Sequence, residues 1–184
     1  PWGVGCGCAP ATDVPSVIDQ AAYDRLMAYR DGVRDRWVKT IDVPVDGLYV
    51  PPTLIRIDGI DALDKEWFGP LLHVTTWKAG TLTETIRRIN AKGYGLTMGL
   101  HSRIARATDV IEAVAEVGNL YVNRSMIGAV VGSQPFGGER LSGTGPKAGG
   151  PHYLYRFCAE RAVSIDTTSA GGNATLLNMD EGGI

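Results

Sequence analysis

Residues 71–123 read LLHVTTWKAGTLTETIRRINAKGYGLTMGLHSRIARATDVIEAVAEVGNLYVN. Leu71, Leu72, Val74 and Trp77 open the stretch as an apolar strand. Thr81-Leu82-Thr83-Glu84 then has the form of a capping box, in which hydroxyl and carboxylate each satisfy an orphan backbone N–H. Leu82, Ile86 and Ile89 form the buried face of the helix it starts, and Gly93 stops it. Leu96, Met98 and Leu100 alternate as a second strand, with His101 at its end. Ser102 is placed to cap a second helix with Ile104, Ala107, Ile111 and Val114 on its buried side, closed by Gly118. Leu120 to Val122 is the third strand. Strand–helix–strand–helix–strand predicts right-handed crossovers and an α/β fold whose parallel sheet is flanked by helices on both faces. In such sheets ligands bind beyond the carboxyl ends of the strands.

The segment leaving the third strand, residues 123–150, is rich in Gly and stiffened by Pro135 and Pro146. Connections longer than about 12–15 residues are usually functional or disordered. Ile127, Val130, Val131 and Phe136 argue for an ordered loop, the expected place of ligand recognition. Further on, residues 153–160 read as a short helical piece. Residues 162–168 and 174–179, around the turn Ser169-Ala170-Gly171-Gly172-Asn173, read as a terminal β-hairpin. Such an arm has little core of its own and is suited to extending another sheet.

Upstream, residues 1–12 show no periodicity, and Cys6 and Cys8 read as free thiols in a loose terminus. Ile18, Ala22, Leu26, Tyr29, Val33 and Trp37 recur at helical spacing and predict a helix over residues 19–40, weakened at Gly32. Residues 44–60 are extended, with Leu54, Ile55 and Ile57 as strand formers after Pro51-Pro52. Before the strand at 71 stands Glu66-Trp67-Phe68-Gly69-Pro70, where an acid and two aromatics suit either a ligand site or ordinary packing.

Composition narrows the classes. The 184 residues carry a net charge of −2, with 44% hydrophobic and 21% charged residues, as in globular proteins. That balance gives no electrostatic case for nucleic acid, and no apolar run reaches a membrane span. Three cysteines make no disulfide framework, so a cytoplasmic location is expected. His73, His101 and His152 are too scattered to suggest a metal site. Gly138 to Gly143 has the spacing of a Walker loop but carries Thr144 in place of Lys. Gly143-x-Gly145-x-x-Ala148 follows no strand and precedes no plausible helix, so both nucleotide motifs fail on context.

Several motifs do occur in order. Glu66-x-Phe68-Gly69-Pro70, Gly93-Tyr94-Gly95-Leu96, Gly118-Asn119-Leu120-Tyr121-Val122-Asn123 and Gln134-Pro135-Phe136-Gly137-Gly138 resemble those of the aldehyde dehydrogenases. The run from Met126 to Phe157, the ending Asn173-Ala174-Thr175-Leu176-Leu177, and the segments at 11–14 and 17–19 resemble one branch of that family. It is the L-glutamate γ-semialdehyde (Δ1-pyrroline-5-carboxylate) dehydrogenase branch, particularly the C-terminal module of bifunctional proline utilisation A proteins. The resemblance spans about residues 11–179.

The resemblance implies NAD as cofactor and L-glutamate γ-semialdehyde as substrate. By similarity Glu66 would hold the nicotinamide ribose hydroxyls and Phe68 would lie against the nicotinamide. Gly128 and Ala129 would receive the substrate carboxylate on backbone N–H groups, and Phe136 would wall its aliphatic part. It further implies a partial catalytic domain over residues 1–160, then a β-hairpin arm over residues 161–184 that would make a homo-oligomer. The family's nucleophilic cysteine, its general-base glutamate and most of its cofactor domain are expected upstream of Pro1. No catalytic residue is therefore assigned in this chain, and the upstream part of the same enzyme is its expected partner. In the whole enzyme a thiohemiacetal would form, hydride would pass to NAD, and a thioester would be hydrolysed to glutamate. Two other readings stand beside this one: a non-catalytic fragment or β-arm interaction module, and a dehydrogenase of another aldehyde.

Overall fold

A computed structural model describes residues 3–128 and 132–166. Helix α1 (Gln20–Gly32) starts where Asp19 accepts a hydrogen bond from the Ala22 N–H at 2.7 Å, satisfying an orphan donor of the first turn. It does not run on to residue 40. After Gly32 the chain makes a 3-10 turn (Arg34–Arg36) and enters strand β1 (Trp37–Thr40). The Trp37 indole N–H donates to the Arg30 carbonyl at 2.9 Å, and the Arg30 guanidinium lies 3.8 Å over the Trp37 ring. Trp37 thus folds back over the helix end instead of extending its apolar stripe. Ile18, assigned to that stripe, lies before the helix and is 92% exposed.

β1 pairs antiparallel with β2 (Thr53–Arg56), which pairs parallel with β3 (Leu71–Val74). Leu26, Val50, Ile55, Ile57 and Leu71 form the buried core against this sheet. The buried Arg30 is absorbed by polar partners: it donates to Thr53 at 2.8 Å, Thr40 at 3.0 Å and Asp31 at 2.9 Å. A buried cation is tolerable only with such pairing.

Helix α2 (Leu82–Asn90) follows β3, then the two-residue strand β4 (Tyr94–Gly95), β5 (Thr97–Leu100), α3 (Ala105–Val114) and β6 (Asn119–Val122). β5–α3–β6 is a βαβ unit with parallel pairing in register from Thr97 opposite Asn119 to Leu100 opposite Val122. The order of elements agrees with the expectation, but the single parallel sheet does not form. β3 takes its partner from β2 and β5 from β6, so the described strands make separate short sheets of mixed direction. Nor do the helices take one face each, because α2 packs against α3. The buried Asn90 ties them: its Nδ2 donates to the Val114 carbonyl at 2.7 Å and its Oδ1 accepts from the Glu116 N–H at 3.2 Å.

Neither helix start uses its expected cap. Thr81 Oγ1 donates backwards to the Lys78 carbonyl at 2.8 Å, so the capping box is not made. Ser102 sits before the start of α3 and accepts from the Ile104 N–H at 3.1 Å. At the end of α2, Gly93 has φ +83°, a conformation that favours glycine.

Cys6 and Cys8 are joined as a disulfide with a Cα separation of 5.3 Å, correcting the free-thiol expectation. The bridge closes over one residue and builds no framework. A 3-10 turn (Tyr153–Phe157) stands where a short helical piece was expected. Residues 161–166 are exposed and carry no strand, while the remainder of the expected β-hairpin arm lies outside the described residues. None of the described helices is long and apolar enough to cross a membrane.

Candidate functional site

The loop before β3 presents the first group of candidate residues. From the end of α2, Lys92 Nζ donates to the carbonyls of Leu63 (2.5 Å) and Asp61 (3.3 Å), and Arg88 makes an ion pair with Asp61. Gly69 lies directly over Leu26: an added Cβ would stand 2.6 Å from its Cδ1. Trp67 turns inward, stacked on Tyr29 with ring centroids 3.8 Å apart and planes at 17°. Its indole N–H donates to Asp64 at 3.3 Å, and Lys65 Nζ lies 4.5 Å over its ring. Glu66 and Phe68, on either side of Trp67, are exposed, Phe68 to 76%.

A second wall comes from the Gly-rich loop. Asn119, buried on β6, donates to the Pro135 carbonyl at 3.0 Å and accepts from the Gly137 N–H at 3.1 Å. Phe136 and Ala148 exchange backbone bonds of 3.0 and 2.9 Å. β7 (Glu139–Arg140) pairs with β4, and Ser142 Oγ accepts from the Gly95 N–H at 3.2 Å. Arg140, at φ +57°, reaches Glu116 at 2.7 Å, and Lys147 Nζ donates to the Gly118 carbonyl. Over its described residues 132–150 the loop is held by polar clips. Of the four apolar anchors expected there, Phe136 is half-buried, Ile127 is 94% exposed, and Val130 and Val131 lie outside the described residues.

Between the two walls lies a cleft of about 810 Å³ lined by Glu66, Phe68 and Phe136, together with Lys92 and Ser142. Such a volume is in the range of small-molecule and cofactor sites. Three of the five candidate residues are therefore brought together. Gly128 is half-buried and does not line the cleft, and Ala129 lies outside the described residues. Asn123, five residues before Gly128, has φ +55°, and its side chain bonds both the N–H and the carbonyl of Ser102, at 2.9 and 3.0 Å. That fixes the direction in which the chain leaves β6.

Among the described residues the Glu66 carboxylate makes no hydrogen bond or ion pair, although it faces a cleft with an exposed aromatic ring beside it. An uncommitted carboxylate next to a flat apolar face fits a ligand with hydroxyl donors and a planar ring, which describes the nicotinamide riboside half of NAD. No cysteine lines the cleft: Cys158 is exposed and bonds the Leu154 carbonyl at 3.5 Å. Among the described residues no group of three His, Cys, Asp or Glu is placed to hold a metal ion.

Beneath the loop, the Tyr29 hydroxyl and His73 Nε2 share a hydrogen bond of 2.8 Å. Burial lowers the His73 pKa below its ordinary value of 6.5. Burial, helped by the Asp64 carboxylate and opposed by Arg36, raises that of Tyr29. Periodicity alone did not reveal this group, because Tyr29 reads as one more apolar position of α1 and His73 as an interruption of a strand.

The profile of the aldehyde dehydrogenase family matches residues 2–163. The chain is 48% identical over 161 residues to the bifunctional protein PutA of Klebsiella aerogenes, covering 82% of this chain and 12% of that protein. Its fold matches a variant of Bradyrhizobium japonicum proline utilization A (PutA) with a TM-score of 0.83 at 45% identity, over 91% of this chain and 17% of that one. It also matches a 1-pyrroline-5-carboxylate dehydrogenase from Thermus with bound NAD, with a TM-score of 0.72 at 32% identity, over 85% of this chain and 31% of that one. The chain thus spans about an eighth of the length of the PutA protein it matches. With most of its length matched by the family profile, the chain belongs to the aldehyde dehydrogenase family.

Proposed function

We propose that this chain is the C-terminal part of an NAD-dependent dehydrogenase that oxidises L-glutamate γ-semialdehyde, the open form of pyrroline-5-carboxylate, to L-glutamate in proline catabolism. The observation that carries the reading is the meeting of Glu66, Phe68 and Phe136 on one cleft from loops about 70 residues apart in sequence. Names of relatives support it: PutA proteins and 1-pyrroline-5-carboxylate dehydrogenases are 32% to 59% identical to this chain over the matched residues.

Glu66 would accept hydrogen bonds from the two ribose hydroxyls beside the nicotinamide, each strengthened by the carboxylate charge. Phe68 would lie against the nicotinamide and limit its movement. When bound, NAD supplies the hydride acceptor. Phe136 would wall the aliphatic part of the aldehyde. Backbone N–H groups at Gly128 and Ala129 would hold its carboxylate, since small residues let the backbone close around an anion. The attacking thiolate and the general base would come from outside this chain. Residues 1–160 would then be part of the catalytic domain, and residues 161–184 an arm that joins copies of a cytoplasmic homo-oligomer.

The test is steady-state NADH formation by the parent enzyme carrying single substitutions. Losing a charge-assisted hydrogen bond costs about 1.5–3 kcal/mol, so Glu66→Gln is expected to raise KM for NAD at least about tenfold. Ala129→Trp should raise KM for the semialdehyde and leave that for NAD alone. An unchanged semialdehyde KM would sink the anchor assignment, and equal turnover of an uncharged aldehyde of the same length would point to a different substrate.

A further inference from the structure

We propose that Tyr29, on α1, is a positioning residue for the nicotinamide half of the dinucleotide: its ring carries Trp67 and so sets the direction in which Glu66 and Phe68 face the cleft. The inference rests on the function proposed above. It begins from an alternation. In an extended segment neighbouring side chains point to opposite sides. Glu66, Trp67 and Phe68, in the loop before β3, show that alternation in their burial, with Trp67 packed on the core and its two neighbours exposed on the cleft. Whatever fixes the Trp67 ring therefore fixes the presentation of both neighbours.

Tyr29 is what fixes it. The two rings are nearly parallel, at 17°, with centroids 3.8 Å apart, and the Tyr29 hydroxyl is bonded to His73 Nε2 at 2.8 Å. His73 stands on β3, the strand into which the loop feeds. One side chain on the helix thus grips the loop through its face and the following strand through its hydroxyl. α1 is itself held rigidly, because Leu26, one turn earlier, is buried in the core and lies directly beneath Gly69. Aromatic side chains suit this task, having few torsions to lose and a large face to stack. Tyr29 is not among the residues lining the cleft, so its effect there is exerted through Trp67.

The experiment uses the parent enzyme and reads the dissociation constant of NAD by calorimetric titration, without turnover, beside KM for each substrate and the Tm. Tyr29→Leu removes both grips, and the loss of one stacked aromatic pair corresponds to about a threefold to tenfold weaker Kd for NAD. Tyr29→Phe keeps the stack and is expected to stay within about twofold, as is the semialdehyde KM in both variants. Val50→Ala, in the same core but not among the residues lining the cleft, serves as the stability control, with a lowered Tm and an unchanged Kd. If Tyr29→Leu fails to fold, Trp67→Leu removes the same stack from the loop side and is held to the same threshold. A Kd shift no larger than that of Val50→Ala overturns the proposal. Glu66→Gln separates the two levels. With no effect on Kd, the nicotinamide reading fails and this proposal with it. A weakened Kd in Glu66→Gln beside an unchanged one in Tyr29→Leu overturns the positioning role alone.

Discussion

The layer built from α1 and β1–β3 and the Gly-rich segment 132–150 both end at the same cleft, yet they are held by different forces. In the first, Leu26, Val50 and Ile55 are almost completely buried, and the loop of Glu66 and Phe68 rests on Leu26 through Gly69 and on Tyr29 through Trp67. In the second, Gly137 and Gly138 are buried but the side chains around them are mostly polar. Asn119, Ser142, Lys147 and Arg140 clip the backbone into place. Burial is non-directional and tolerates small shifts, whereas a hydrogen bond fixes an atom against an atom. A loop that must hold a shaped backbone gains more from the second.

Four substitutions or conditions break or sharpen this contrast. Gly118→Ala should have the largest effect, because its Cβ would fall 1.8 Å from the Gly137 carbonyl oxygen and 2.9 Å from Gly138 Cα, all of it backbone that must move. Destabilisation of about 4 kcal/mol or more, or loss of soluble protein, is expected in denaturant melts. Leu26→Ala follows at about 3 kcal/mol, the usual cost of emptying a buried leucine site. It should also weaken NAD binding, since the support beneath Gly69 is lost.

Asn119→Ala removes two bonds and leaves the buried Gly137 N–H unpaired, a cost of about 2 kcal/mol. If the loops are held as described, its kinetic effect falls on the semialdehyde KM through Phe136 and spares the Kd of NAD. The smallest effect is that of acid. His73 holds its proton less tightly in the folded chain than in the unfolded one because it is buried. As pH falls through about 6.5 the unfolded chain takes up the proton first, so stability declines below that pH and is restored above it. The slope should flatten in His73→Asn, compared by melts at pH 5.5 and 7.5.

Much of the first region could be read from sequence, because apolar spacing reports burial. The stripe through Ala22 and Leu26 and the strand at Leu71 have that origin, as does, outside that region, the βαβ unit ending at Val122. What periodicity does not carry is the partner of each strand. By spacing Trp37 continues the helical stripe into β1, while its indole N–H is used to close the helix end at Arg30. The pairing of Glu139–Arg140 with Tyr94–Gly95 joins a loop to a two-residue strand and leaves no pattern in either. For the candidate site, Glu66, Phe68 and Phe136 were legible through motifs. Asn90, which ties α2 to α3, and Asn119, which organises the second wall, read as ordinary polar residues, since nothing local marks an asparagine as buried.

The most direct test asks whether the cleft belongs to an incomplete catalytic site. NADH formation is followed for the 184-residue chain given pyrroline-5-carboxylate and NAD, alone and with the upstream region of the enzyme supplied. The account predicts no NADH from the chain alone, because no cysteine lines the cleft, and NADH formation once the upstream region is present. Turnover by the chain alone would contradict it and would mean that a nucleophile within these residues reaches the aldehyde.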